Sequence, residues 1–287
     1  MRSISNRGAV PRFCFYGALV FILSFVLALF ACREEETPLP KGSERVVSLA
    51  PNITEMVYAV GAQKKLVGTD NFSDSPPSAK KLPKVGGTQP NVEKIIALKP
   101  DLVLASTSSA PPGLESSLRS AHIPLVWIKT DRLADVPNAM ALIGAHLGVL
   151  DMPVYVSRLQ KAIDAQRRKR AHPPRVLFAV WTNPMYVAGR NTFVGDLIEL
   201  CGATNAVTVN GWPQYSLESL VASPPDLILY PNISVTDRAI HELLDSVPSV
   251  RDRARAVPVE ENVFVRPGPR VVEAARQLNA ILGGDSR

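Results

Sequence analysis

The chain has 287 residues, 46% of them apolar and a formal net charge of +6, which supplies core for one large or two modest domains. Three arginines and no acids fall in the first 31 residues, so the remainder holds 29 basic and 26 acidic side chains, a balance that gives no support to a nucleic-acid partner. Of three cysteines, Cys14 and Cys32 lie near the start, which leaves Cys201 alone and excludes a structural disulfide.

Arg2, Arg7 and Arg12 precede an apolar run from Phe13 to Phe30, the pattern of a secretory signal over residues 1–31. The LFAC boundary, Leu29 to Cys32, resembles a bacterial lipoprotein box and makes Cys32 the lipidated first residue of the mature chain, anchored to the membrane. The alternative is an uncleaved anchor, because about eighteen apolar residues just span a bilayer. Residues 32–44 carry charge and two prolines with almost nothing apolar, and read as a solvated tether.

An N-terminal lobe over residues 45–150 opens with a strand from Arg45 to Ala50. The next helix is expected to start with Asn52 as its cap and Glu55 closing a capping box, and to end at Gly61. Lys65 to Thr69 is a second strand, and the polar, Pro- and Gly-rich residues 70–90 are loop. Helix from Glu93 to Leu98, strand from Leu102 to Ala105, helix from Leu114 to Ala121, strand from Leu125 to Ile128 and helix from about Val136 to Leu147 complete the lobe.

Asp151 to His172 is expected to form one long connecting helix. Pro153 suits its first turn, Val156, Leu159 and Ile163 make a narrow apolar stripe, and Pro173-Pro174 stops it. On its far side, residues 173–287 repeat the first lobe. Glu93 and Glu218 lie 125 positions apart, as do Asp101 and Asp226. Arg45–Ala50 matches Arg175–Val180, Gly61-Ala62 matches Gly202-Ala203, and Ile123–Ile128 is aligned with Glu261–Arg266. Thr182 to Asn191 is read as loop. The fold expected is α/β, two parallel-sheet lobes joined by one backbone helix, with ligand groups at the carboxyl ends of the strands.

No GxSxG, phosphate-loop, HExxH or CxxC pattern is present, and His122, His146, His172 and His241 fall on helices or helix ends. Neither catalysis, a metal site nor a resident cofactor is expected. Phe72, Trp181, Tyr186, Trp212 and Tyr230 instead fall at or near strand ends, where rings offer broad faces to a flat ligand. Glu93 and Glu218 are placed symmetrically, one per lobe, and suit a twofold partner bearing arginines.

The stretches RVVSLAPNITEMVYAVGA, FSDSPPSAKK, NVEKIIALKPDLVLA, NPMYVAGR, IELCGATNA and GWPQYSLESLVASPPDLIL resemble the class III ABC-transporter substrate-binding proteins, most closely their vitamin B12 (cobalamin) branch. The resemblance spans nearly all of the mature chain. It implies a monomer when free, periplasmic or at the cell surface, that hands a corrinoid to an ABC permease and its ATPase. Haem or a ferric siderophore is the alternative cargo, and an extracytoplasmic α/β enzyme the alternative class. It also implies ligand contacts at Phe72, Trp181, Tyr186 and Trp212, with permease docking at Glu93 and Glu218; Thr88, Tyr230 and Arg266 join the expected ligand contacts by their places at strand ends. Thr88 and Ser106 replace tryptophans of that branch, Asn279 replaces the cysteine that pairs with the counterpart of Cys201, and the loop before the last helix is shortened to RPGPR.

Overall fold

The computed structural model describes residues 42–109 and 111–283. The signal segment, Cys32 and most of the tether lie outside the described residues. Residues 42–44 of the expected tether are already docked: the Gly42 and Ser43 amides donate to the His146 carbonyl at 2.8 and 3.0 Å.

The first lobe runs β1 (Val46–Ser48), α1 (Pro51–Ala59), β2 (Leu66–Thr69), α2 (Val92–Ala97), β3 (Leu102–Ser106), α3 (Leu114–Ser120), β4 (Leu125–Ile128) and α4 (Asp135–His146). The link is α5 (Met152–Asp164). The second lobe follows with β5 (Arg175–Thr182), β6 (Met185–Val187), α6 (Phe193–Leu200), β7 (Thr204–Asn205), α7 (Leu217–Ala222), β8 (Leu227–Pro231), α8 (Ser234–Ser246), α9 (Pro248–Arg251), β9 (Arg255–Val259), α10 (Glu261–Phe264) and α11 (Val271–Gly283). Sheet order is β2-β1-β3-β4 in the first lobe and β6-β5-β8-β9 in the second, with β7 also on β5. Among the described residues no helix is long and apolar enough to cross a membrane.

Strand parity decides where each apolar residue goes, because alternate side chains face opposite sides of a sheet. Val46, Leu102, Leu104, Val126 and Ile128 point to one side, and so do Val176, Phe178, Leu227, Leu229 and Val259 in the second sheet. Together with α1, α4, α5, α6 and α11 they form one continuous core running through both lobes. Val47, Val103 and Ala105 pack outward with Ile95, Leu114 and Leu118. In the second sheet Leu177, Ile228 and Tyr230 pack outward with Leu220, Ile240 and Leu244.

The repeat is visible in hydrogen bonds as well as in order. Asp101 accepts from the Arg45 amide at 3.1 Å and Asp226 accepts from the Arg175 amide at 2.8 Å, so each PD turn holds the start of the first strand of its lobe. Gly61 and Gly202 end the first helix of each lobe at φ 79° and 74°, a conformation glycine adopts without strain.

Three expectations change. The connecting helix stops at Asp164 rather than His172, because the Arg168 amide turns away to the Leu200 carbonyl at 3.0 Å. The Arg170 side chain then donates to the carbonyls of Cys201 and Leu282, at or near the carboxyl ends of α6 and α11, where a cation suits the helix dipole. The run expected as loop 182–191 contains β6, antiparallel to β5 in an otherwise parallel sheet. Glu261–Phe264 is helix, so the true counterpart of β4 is β9. Cys201 is a free, buried thiol, its pKa pushed up to about 12 by burial, and the amide of Asn279 donates to the Gln166 carbonyl at 2.8 Å.

The expected capping box does not form either. Glu55 is instead the acceptor for two arginines of the other lobe: Arg270 donates through Nε and Nη2 at 3.0 and 2.9 Å, and Arg266 through Nη1 at 3.1 Å. The Asn52 amide reaches the Thr130 hydroxyl and the Pro267 carbonyl at 3.1 and 3.2 Å. A second clamp runs the opposite way, from Arg132 of the first lobe to Asp196 of the second at 2.8 and 2.6 Å, with the Leu133 amide adding a bond at 2.9 Å. Glu55 and Asp196 both lie on the first helix of their lobes, and Arg132 and Arg266 both precede the last helix, so the clamps are pseudo-twofold equivalents.

Only 4% of the Glu55 side chain is exposed, so losing its charge leaves two guanidinium groups short of an acceptor. Breaking a buried pair from one side costs about 3–5 kcal/mol. Glu55→Gln should therefore lower the thermal midpoint by more than Asp196→Asn, whose partner is more exposed; equal small losses by circular dichroism would show that neither clamp holds the lobes.

Candidate functional site

The carboxyl ends of β1, β2 and β3 meet loops that build a cavity of about 170 Å³ in the first lobe, lined in part by Leu49, Asp70, Phe72, Thr88, Ser106 and Leu114. A second cavity of about 190 Å³ shares Ser106 with it and lies between the lobes. Asn52, Ser108, Thr130 and Asp131 come from one side, and Phe193, Trp212, Val265 and Pro267 from the other. A larger hollow of about 460 Å³ lies elsewhere, beside α5 and α6, lined by Asp164, Arg167, Asp196 and Glu199 among others, and none of the expected ligand residues reaches it.

Phe72 is 56% exposed and rides on a buried polar network. Asp70 accepts from the Phe72 amide at 2.9 Å and from the Ser73 hydroxyl. Burial raises the Asp70 pKa, partly offset by those hydrogen bonds and by the charges of Lys84 and Arg266. Lys84 in turn donates to Thr69 Oγ1, the Ser73 carbonyl and the Ala79 carbonyl at 2.9, 2.7 and 3.3 Å. The loop is thus tied to the sheet below it while the ring stays free.

Three more exposed rings belong to the second lobe: Trp212 lines the cavity between the lobes, whereas Trp181 and Tyr186 line neither cavity. Trp181 and Tyr186 are cross-strand partners on β5 and β6 and stand side by side. Tyr186 is bridged to Gln214, and the segment 209–215 lies along β6 through bonds such as Val187 amide to Pro213 carbonyl at 3.1 Å and Gly189 amide to Gly211 carbonyl at 2.8 Å. A side-chain carbon on Gly189 would meet the Val209 carbonyl at 2.1 Å, so only glycine lets this segment approach and carry Trp212 to the cleft. Trp181, Tyr186 and Trp212 are 47%, 40% and 47% exposed, so each offers an open ring face to solvent.

One expected contact is corrected, Tyr230, and a second, Arg266, is engaged within the protein. Tyr230 is 1% exposed and its hydroxyl donates to Asp237 at 2.8 Å, with burial and that bond pushing its pKa up to about 12. Parity is the reason, since Tyr230 points the same way as Ile228, into the outer core. Arg266 is at the interface of the lobes but committed to Glu55 and, at 2.7 Å, to Asp74. Burial would raise the Asp74 pKa, but the hydrogen bond and charge of Arg266 outweigh it and hold that carboxyl below its usual value. Asn52, Ser108, Thr130 and Asp131 were missed, although Thr130 and Asp131 lie just past the end of β4 and the strand-end rule applies to them as to the others.

Glu93 and Glu218 are exposed in the first turns of α2 and α7, two residues after the capping side chains of Asn91 and Ser216. Hydrogen bonds from its own backbone and from Ser216 lower the Glu218 pKa.

A family model described as periplasmic binding protein matches residues 46–251. The chain belongs to the periplasmic binding protein family. It is 32% identical over 249 residues to a vitamin B12-binding protein of Pectobacterium atrosepticum, covering 82% of this chain and 87% of that one. Among solved structures, the vitamin B12 binding protein BtuF of Vibrio cholerae is similar at 27% identity and a TM-score of 0.70, covering 85% of this chain and 98% of that one. The heme-binding protein RhuT of Roseiflexus sp. RS-1 is similar at 28% identity and a TM-score of 0.73, covering 83% and 97%. Membership makes this periplasmic binding protein an extracytoplasmic component that binds a small molecule for an ABC permease.

The geometry separates exposed rings from core rings. Trp212→Ala should weaken cargo binding roughly five- to more than a hundredfold, as loss of about 1–3 kcal/mol at a buried contact does. Tyr230→Phe should leave binding unchanged and cost about 1 kcal/mol of stability. Calorimetric titration beside thermal unfolding checks both, and the reverse pattern would exchange the two roles.

Proposed function

We propose that this chain captures cobalamin or a related corrinoid between its lobes and delivers it to an ABC permease. The observation that carries the choice of cargo is the chemistry of the cleft floor. The two cleft cavities are lined by hydroxyls, an amide, two carboxylates and apolar groups, with no lysine or arginine among their lining residues. Haem presents two carboxylates and ferric catecholates carry net negative charge, and both call for cations. A corrinoid presents a flat macrocycle rimmed by neutral amides, which suits rings above and hydrogen-bonding groups below. The relatives named for vitamin B12 support the same reading.

Haem is the second reading, supported by the heme-binding neighbours and by Tyr186, a half-exposed phenol able to serve as an axial ligand to iron. Absorbance titration of the purified protein with cyanocobalamin and with haemin separates them. Stoichiometric cobalamin binding with haemin inert is expected; a haem spectrum that Tyr186→Phe abolishes would reverse the assignment.

Delivery rests on Glu93 and Glu218. Each is adequately explained alone as an acid at a helix start, worth about 0.3–1 kcal/mol, but the pair fits a permease with twofold symmetry and one cation per half. The double variant Glu93→Gln, Glu218→Gln should bind cargo normally and stimulate the transporter ATPase poorly. Normal stimulation would remove the docking role.

We further propose cleavage before Cys32 and lipid attachment there. Cys32→Ser should then yield a soluble extracytoplasmic chain, and a variant that stays membrane-bound would favour the uncleaved anchor.

A further inference from the structure

α2 and α7 are six-residue helices in register 125 positions apart, and each buries a single side chain, Ile95 and Leu220 respectively. The next residue on each is apolar and turned outward: Ile96 is 43% exposed and Val221 44% exposed. Ile96 is three positions after Glu93, and Val221 three positions after Glu218, a spacing that puts acid and apolar residue on one helix face. The repeat therefore presents the same acid-plus-apolar pair twice. Lys94 of α2 has Ser219 as its counterpart on α7, so no cation belongs to the shared pattern.

Both helices run against the parallel strands, so their amino ends lie at the strand carboxyl ends, the edge that also holds the cleft. Nothing in either lobe covers these residues among the described part of the chain. A second copy of this protein would set carboxylate against carboxylate, and an anionic lipid surface would repel both acids. A cationic, twofold partner meets neither objection.

Resting on the docking reading above, we infer that Ile96 and Val221 are contact residues for the permease: each inserts beside its glutamate into an apolar recess next to a cation, once on each half of the dimer. The acids orient the approach and the apolar pair supplies the area removed from water. Removing about half of an aliphatic side chain's burial weakens association about fivefold, and two separate contacts about twenty-five-fold.

The test titrates the full chain against the permease–ATPase complex of the same cell in nanodiscs, reading ATPase stimulation. Ile96→Ser and Val221→Ser should each raise the half-maximal concentration about fivefold and the double variant about twenty-five-fold. Cargo titration and thermal midpoint should be unchanged. Val235→Ser, at an apolar site on α8 that is 65% exposed, serves as control and should match the parent. A double variant within twofold of the parent, beside a Glu93→Gln, Glu218→Gln variant that fails to dock, overturns the apolar role and leaves the docking reading standing. Docking untouched by either pair overturns both. A control as weak as the variants, a lowered thermal midpoint, or a parent that sediments as a dimer the double variant abolishes, each overturns the inference as well.

Discussion

A carboxylate almost wholly out of water is expensive, and Glu55 is tolerated because two guanidinium groups from the other lobe meet it, one of them bidentate. Such a pair is weak evidence for net stability, since desolvation consumes much of the attraction. It is strong as a geometric constraint, because sliding either lobe strands a buried charge. Asp196 and Arg132 impose the same constraint with the signs exchanged between lobes. With the continuous core around α5, relative motion of the lobes is opposed at three places, whereas a hinge needs a few freely turning residues.

This frame is what lets a modest cleft hold its groups ready. Arg266 is spent on Glu55 and Asp74 and also donates to the Phe72 carbonyl at 3.4 Å, so the ion pair that joins the lobes also touches the loop carrying the most exposed ring. Asp70 and Lys84 fix the other side of that loop. The cations at the interface thus act on the scaffold, and the cavity lining is left to neutral donors and acceptors with Asp70 and Asp131, the latter accepting from Ser108 at 2.6 Å. Binding to rings and dipoles already in place avoids the ordering cost that loose side chains incur.

How much of this was legible in the sequence depended on whether the signal was local or periodic. The strand–helix alternation and the register of Asp101 with Asp226 gave the fold, and both aspartates do hold the first strand of their lobe. The clamps were invisible because Glu55 sits three residues after Asn52, a pattern with a sound local explanation, while its true partners are more than two hundred positions away. The connecting helix is shorter than its sequence suggests, since Arg167 to Arg170 are good helix formers and only the tertiary fold offers Arg170 the carbonyl ends of two other helices. Tyr230 was assigned by its place at a strand end; its parity with Ile228 already pointed away from the cleft. Thr88, Phe72 and Trp212 do line the cavities, because loops at strand ends leave their side chains without core neighbours.

The offsets between the two halves carry the last piece of the argument. Arg45 and Arg175 are 130 apart, Gly61 and Gly202 are 141 apart, and Glu93 and Glu218 are again 125 apart. The second lobe therefore has 11 more residues between its first strand and the end of its first helix, and the first lobe has 16 more between that helix and its rim glutamate. The 11 fall where β5 runs on into Trp181, turns, and returns as β6 with Tyr186. The 16 fall in the stretch that includes the loop from Asp70 to Pro90, with Phe72 and Thr88. Both insertions tie back to their sheets, one through the pairing of β6 with β5 and the other through Val85, buried in the outer core of the first lobe. Each half thus keeps the common frame in register and places its additional length at the cleft end of the strands, where backbone is free to leave the sheet. The irregular parts of the repeat, more than its regular parts, mark where the two lobes differ.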